Sequence, residues 1–284
     1  MLSWAKREIL ICVSMTVALG LCSNTAQADT LYVPAPYATI QAAIDAAANG
    51  DVVEIADGTY AGTGNRDIDF GGKAITVRSA SGDPALCIID CQGSEADPHR
   101  GFYFHNGEGA DSVIEGLKIT GGREYRGGGI HCYLSSPALS NCTFDGNSAG
   151  SDGGGVSCYA ASPTLTNCVF SGNSATYEGG GLFCNYDCSP TLTDCTFSEN
   201  SGHSGGGVYV TTSDPTLINC TLVRNGASYG GGVYCSSADA QLIQCTIHVN
   251  SADSAGGGVY ASSSNPTLTD CTLTGNSALF YGGG

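Results

Sequence analysis

The sequence predicts an all-β chain wound as a parallel β-solenoid, one repeat per coil, closed at its N-terminal end by a short helix. Three observations carry this. A glycine triplet at Gly127 to Gly129 returns at Gly153, Gly179, Gly205, Gly230, Gly256 and Gly282, a period of 26 residues with one spacing of 25. Each unit holds two short alternating apolar runs, typified by Val156-Ser-Cys158 and Leu165-Thr-Asn-Cys168-Val-Phe170, with Ser- and Pro-containing turns between them. The apolar period is that of strands, so a unit of this size cannot bury its own apolar face and must stack on its neighbours.

Residues 1–28 read as a secretory signal peptide. Lys6 and Arg7 precede the apolar stretch Ile9 to Leu21, and Ala26-Gln-Ala28 is a small-x-small cleavage site before Asp29. A lipoprotein site at Cys22 is disfavoured by the large Leu21 before it. The mature chain is therefore expected to be exported, soluble and extracellular or surface-located, with no membrane span.

Residues 29–126 read as a cap and irregular first coils. A strand at Leu31 to Val33 precedes a helix from Thr39, in which Ile40, Ala43, Ile44 and Ala47 form one apolar stripe that Asn49-Gly50 ends. The helix is assigned to cover the open end of the solenoid, whose first coil would otherwise expose core and strand edges. Further strands are read at Asp51 to Ile55, Ala74 to Val77, Cys87 to Ile89, Phe102 to Phe104 and Val113 to Ile119. The segment beginning at Ile114 lies 25 residues before Leu139 and matches its apolar spacing, so the solenoid starts before the first triplet.

Residues 127–284 are the regular repeats. Val156 and Cys158 are assigned inward with Ser157 outward, and Leu165, Cys168 and Phe170 inward. The same columns hold Val208, Val233 and Val259, Leu192, Leu217, Leu242 and Leu268, and Phe144 and Phe197. Leu165 and Cys168 are three apart, so one residue must break the alternation. Asn167, in the column Asn141, Asn167, Asp194, Asn219, Gln244 and Asp270, can do this because Asn tolerates the left-handed conformation. A second column, Asn147, Asn173, Asn200, Asn225, Asn250 and Asn276, reads as an amide ladder. The triplets supply a corner rather than a phosphate loop, which needs a following helix and a Lys.

Fifteen cysteines are present, of which Cys12 and Cys22 leave with the leader. Cys142, Cys168, Cys195, Cys220, Cys245 and Cys271 form one column and Cys132, Cys158, Cys184 and Cys235 another, interrupted by Val210 and Ala261. Thiols spread one or two per coil do not make a zinc site. They are read as a buried apolar ladder, with disulfides as a secondary possibility, including pairs such as Cys132 with Cys142.

Loss of the leader leaves 8 of the 10 basic and 25 of the 26 acidic residues, a net charge of −17 against −16 for the whole chain. Arg224 is the only Lys or Arg after Arg126. Nucleic acid is excluded as a partner, since phosphate binding needs a basic stripe. The acidity opposes edge-to-edge association of a β-rich rod.

Residues 39 to about 122, with TIQAAIDAAANGDVVEI, resemble the N-terminal portion of pectin-lyase-like right-handed β-helix proteins. From residue 127, the triplets followed by Ile, Val or Leu, with Phe144-Asp-Gly-Asn147, Phe170-Ser-Gly-Asn173 and Phe197-Ser-Glu-Asn200, resemble the repeats of polymorphic outer-membrane proteins. This sequence has Gly where those repeats have Ala, and Leu222, Ile247 and Leu273 where they have Phe. The resemblance implies a right-handed β-helix and an exported surface protein or adhesin. It also implies a C-terminal translocation or anchoring domain, so a chain that stops within a triplet at Gly284 is expected to be incomplete.

Enzymes on such a fold are commonly polysaccharide lyases or glycoside hydrolases, which need clustered carboxylates, with a nearby Arg or Lys base in the lyases. Asp145, Asp152, Glu178, Asp187, Asp194, Glu199, Asp214, Asp239, Asp253 and Asp270 occupy many repeat positions, and no column is expected to hold acids in adjacent coils. Asp67, Asp69, Asp90, Asp97, His99, Arg100, His105, Arg123 and Arg126 in the first coils are of suitable type but form no spacing tied to a mechanism. No catalytic residue, metal or cofactor is assigned. His203 and His248 are read as exposed strand or loop residues, and Asn-Cys-Thr at 141 and 219 as sequons produced by the repeat. The candidate ligand-binding feature is an aromatic row: after each triplet the outward residue is His131, Ser157, Phe183, Tyr209, Tyr234 and Tyr260. The last four are expected at one exposed position, one coil apart, as a platform for polysaccharide or cell-surface components, or else as rings that stack and shield the sheet.

Overall fold

A computed structural model describes residues 28–284, so the expected signal peptide, apart from its last residue, lies outside the described residues. The chain forms a parallel β-helix of four sheets, with 7, 10, 9 and 7 strands in the order in which a coil visits them. One coil runs through Ile130–Tyr133 in sheet 1, Ala138–Ser140 in sheet 2, Thr143–Asp145 in sheet 3 and Ser148–Asp152 in sheet 4. The glycine corner then returns the chain to sheet 1 at Val156–Tyr159. Every pairing between named strands is parallel and joins one coil to the next, as in Leu139↔Leu165 and Phe144↔Phe170. Leu139 also pairs with Ile114, which places the start of the solenoid before the first triplet as expected.

The corners follow from backbone chemistry. Asn141, Asn167, Asp194, Asn219, Gln244 and Asp270 all have φ between 50 and 56°, so the predicted break in alternation is a left-handed residue that turns sheet 2 into sheet 3. A second corner, between sheets 3 and 4, uses Gly146, Gly172 and Gly275 but also Glu199, Arg224 and Val249, all at positive φ.

The interior is a set of one-residue-wide stacks. Phe144, Phe170 and Phe197 are fully buried with ring centroids 4.8 and 4.4 Å apart, about the separation of neighbouring strands. The asparagine ladder is present. Asn173 donates from its backbone N–H and from Nδ2 to Asn200 Oδ1, at 3.0 and 2.9 Å, and also from Nδ2 to the Phe144 carbonyl at 2.9 Å. All thirteen described cysteines are free and all but Cys271 are buried. The thiols of Cys168 and Cys195 donate to the carbonyls of Leu139 and Leu165, each at 3.6 Å, so the ladder is held by sulfur-to-backbone contacts.

The helix spans Ile40–Ala46, with the Thr39 hydroxyl accepting from the Ala42 N–H at 3.2 Å and Ile40, Ala43 and Ile44 buried. It packs against the first strands of sheet 2, Thr30–Val33 and Val52–Ile55.

Three expectations are corrected. Val113 to Ile119 is two strands, Val113–Glu115 and Lys118–Thr120, because Gly116 at φ 68° turns the chain between sheets. Sheet 4 was not predicted; its strands, such as Ser148–Asp152, are small and polar and have no apolar alternation to reveal them. Leu268 is 40% exposed rather than covered, with Val259 and Cys271 half-buried, because no coil among the described residues stacks over theirs. The carbons are in the predicted columns; only the cover is missing.

Candidate functional site

The outward residues of sheet 1 form a continuous register, Tyr103↔His131↔Ser157↔Phe183↔Tyr209↔Tyr234↔Tyr260. The rings of Phe183, Tyr209, Tyr234 and Tyr260 lie 5.7, 5.0 and 5.0 Å apart in sequence. The predicted common exposure is wrong, however. Phe183 is 2% and Tyr209 7% exposed, while Tyr234 and Tyr260 are half-buried.

The reason is the glycine corner, which folds the outer face of sheet 4 toward that of sheet 1 and makes a cleft. The residue before each triplet forms the opposing wall, with the register Arg126↔Asp152↔Glu178↔Ser204↔Tyr229↔Ala255. Walls meet across it: Tyr229 lies 5.6 Å from Tyr260, and the Arg126 guanidinium 5.9 Å from the Tyr159 ring. First glycines sit at φ near 65° at the foot of the cleft, where a Cβ on Gly153 would stand 2.7 Å from that of Ser157.

Asp152 and Glu178 therefore share a column in adjacent coils, contrary to the expectation that no column does. Asp214 and Asp239 do so as well, with the Asp239 N–H donating to Asp214 Oδ1 at 2.8 Å. The first pair was legible, since both residues immediately precede a triplet. Asp152 accepts from Arg126 Nε at 3.1 Å. Burial pushes the Glu178 carboxyl above its ordinary range; the nearby Tyr209 hydroxyl opposes this and the Asp152 charge adds to it. Tyr209 titrates well above a free phenol, through burial first and the Glu178 charge second.

At the N-terminal end of the cleft, the Arg100 guanidinium lies 5.0 Å from the centre of the Tyr103 ring and pairs with Glu124 at 3.3 Å. Tyr103 stacks on His105 at 4.0 Å and on His131 at 5.4 Å. Burial, and then the charge of Arg100, lower the His131 pKa to about 4, against the carbonyl of Ser157 3.2 Å from Nδ1. Between that value and the ordinary one near 6.5 the unfolded chain takes up a proton that the folded chain refuses. His131 therefore contributes fully above about pH 6.5, and its contribution, about 3 kcal/mol, is lost as pH falls toward 4. Urea midpoints at pH 7 and pH 4.5 should differ less in His131→Tyr than in the native chain; an undiminished difference would show that His131 is not responsible.

A second aromatic row was missed. Tyr133 stacks on Tyr159 at 5.6 Å and Tyr186 lies tilted against Tyr159 at 4.3 Å at the lip of the cleft, with Tyr133 39% and Tyr186 55% exposed and Tyr159 half-buried. Tyr133 and Tyr159 each follow a cysteine of the second column and could have been found by period. Tyr186 could not. It lies where the spacing from Leu165 to Leu192 lengthens to 27, and it takes positive φ.

Of the first-coil candidates, the structure brings Asp67, Asp97 and His99 together, with His99 Nδ1 2.5 Å from Asp67 and Nε2 3.2 Å from Asp97. Asp69 faces His105 at 3.9 Å, and Arg123 pairs with Glu95 at 3.3 Å. Asp90 turns back on its own loop, accepting from the Gln92 N–H at 3.2 Å. Among the described residues, no three His, Cys, Asp or Glu are grouped to hold a metal ion, and no helix is long and apolar enough to cross a membrane.

Comparison with known proteins agrees with this architecture. A solved structure titled "Crystal structure of pectate lyase Pel9A" is similar with a TM-score of 0.59 and 16% identity, covering 90% of this chain and 70% of that one. No curated protein matches. The family described as "Right handed beta helix region" matches residues 51–222 and 128–284. Together these spans take in all the repeats, and the chain belongs to the right-handed β-helix family.

Proposed function

We propose that this is an exported β-helix protein of the cell surface or extracellular space, structural and adhesive in role, that binds polysaccharide along its aromatic-edged cleft. The observation that carries the reading is the contiguous row Tyr133, Tyr159 and Tyr186, exposed at both ends and half-buried at Tyr159, beside the half-open Tyr234 and Tyr260. Rings offered one per coil give a repeating polymer a repeating apolar surface, with little conformational entropy to lose and hydroxyls to orient it. The signal-peptide pattern, the acidity and the resemblance to polymorphic outer-membrane protein repeats support export.

Retention on a panel of acidic and neutral polysaccharides tests this. Loss of three stacking rings, each worth about 0.5–1.5 kcal/mol, should weaken binding at least about tenfold in Tyr133→Ala/Tyr159→Ala/Tyr186→Ala. Unchanged retention by the variant, or no retention by the native chain, would overturn the reading. One observation favours a second reading, a polysaccharide lyase or glycoside hydrolase: the Asp152 and Glu178 column with its raised Glu178. New reducing or unsaturated ends in the same incubations, lost in Glu178→Gln, would establish it instead.

A further inference from the structure

Two parts of the N-terminal cap are tied together by one largely buried carboxylate. Asp51 closes the turn that leaves the capping helix, accepting from the Ala48 N–H on Oδ2 at 2.8 Å. With Oδ1 it accepts from the backbone N–H of Asp29, also at 2.8 Å. The Asp29 carbonyl in turn accepts from the Val52 N–H at 2.9 Å, so both polar backbone groups of Asp29 are fixed by one segment. The next residue enters Thr30–Val33, the edge strand of sheet 2, paired in register with Val52–Ile55. The Ala48 and Asp29 N–H groups, and more weakly the charge of Lys73, hold the Asp51 carboxyl below its ordinary range.

The Asp29 nitrogen is also the atom that removal of the leader frees. Ala26-Gln-Ala28 places the small-x-small cleavage pattern immediately before it. Ala28 and Asp29 are exposed and lie outside the strand, so the bond between them is open to a peptidase. Sequence pattern and carboxylate placement thus meet at one atom. A hollow of about 360 Å³, with Asp29, Tyr32, Tyr37 and Asp51 in its lining, gives room there for further protons.

Hydrolysis by a signal peptidase puts the oxygen of water on the Ala28 carbonyl carbon and its two protons on the Asp29 nitrogen. A neutral N–H becomes an ammonium beside an ionised carboxylate, and charge-assisted bonds of this kind are roughly twice as strong as neutral ones. We propose that the Ala28–Asp29 bond is the processing site and that Asp51 captures the α-ammonium released there, an ion pair that locks the first strand to the helical cap. The cut rests on the export reading; the capture does not. Other charged or titratable groups about the amine are the Asp29 carboxylate, Lys73, and the phenols of Tyr32 and Tyr37. Lys73 is engaged by the Ile44 and Asp45 carbonyls at 2.7 and 2.9 Å, and the Asp45 and Glu54 carboxylates by Gln41 and Arg78, each at 2.8 Å.

A chain released from an N-terminal fusion by a protease that leaves Asp29 first tests the capture without export. An opposite charge favours the ammonium, so the α-amino pKa read by NMR should lie about one unit above its ordinary value near 8 and return to it in Asp51→Asn. The pair is complete below that ordinary value and is lost as pH rises through the raised one. Acetylation of the Asp29 nitrogen restores a neutral N–H without touching Asp51. At pH near 6 the amides of Thr30–Val33 should then exchange about tenfold faster, the equivalent of one pKa unit. Equal α-amino pKa values in the native chain and Asp51→Asn, or equal exchange with and without the acetyl group, would overturn the capture. Intact mass and N-terminal sequencing of the chain from a secreting host should give Asp29 as the first residue. Another first residue, a lipid on Cys22 or an uncut chain would overturn the processing site, the last of these together with the export reading.

Discussion

Gly180→Ala is expected to destroy the central coils, although it adds a single methyl group. A Cβ at this middle position of a triplet would lie 2.3 Å from the Ser201 carbonyl oxygen, 2.5 Å from that of Gly206 and 2.6 Å from the Ser201 carbonyl carbon. All three atoms are backbone, and the glycine stack is itself bonded coil to coil, with Gly180 N–H on the Gly205 carbonyl at 3.1 Å. No rotamer change can relieve the overlap, so sheet 4 or the next triplet must separate. Overpacking commonly costs about 1–3 kcal/mol, and rigid backbone on both sides puts this case at about 4 kcal/mol or more. Gly172→Ala is the control. Its φ is 61° with nothing within 4 Å of the added carbon, so only the left-handed conformation is penalised, by about 1–2 kcal/mol. Urea melts of the two variants decide the matter; similar midpoints would refute the close-approach argument.

Asn200→Ala should be nearly as severe. The Asn200 side chain accepts from the Asn173 backbone N–H and Nδ2 at 3.0 and 2.9 Å, and donates to the Phe170 carbonyl and Asn225 Oδ1 at 3.0 and 2.9 Å. Asn173 is fully buried, so truncation leaves its N–H and the Phe170 carbonyl unpaired where water cannot reach. Each stranded group costs about 1–3 kcal/mol, giving about 3–5 kcal/mol together. Asn276→Ala, in the half-exposed last rung, should cost less than half as much because water replaces the lost partner. Equal losses at the two positions would mean that the ladder does not act through buried, unpaired backbone.

The two variants also separate what was readable from what was not. Both columns were legible because a solenoid converts sequence period directly into contact: a residue's neighbour above is its counterpart 25 to 27 residues later. That rule also placed the phenylalanine stack, the thiol ladder and the left-handed corner at Asn167. It placed the candidate aromatic row in register but not its exposure. Burial of Phe183 and Tyr209 depends on the angle at which sheet 4 folds over sheet 1, and sheet 4 carries no apolar alternation to announce itself.

Repeat period by itself thus determined the solenoid, its inward columns and its ladders, because these rest on contacts between equivalent residues in successive coils, and a local helical stripe determined the capping helix. Tertiary structure alone decided the cleft, the place of Tyr186 beside Tyr159, and the meeting of Asp67, Asp97 and His99. These join residues that are not equivalent in the repeat, across a corner or between irregular loops. Their separation is set by backbone turns rather than by spacing along the chain, and a periodic reading has no means of measuring a turn.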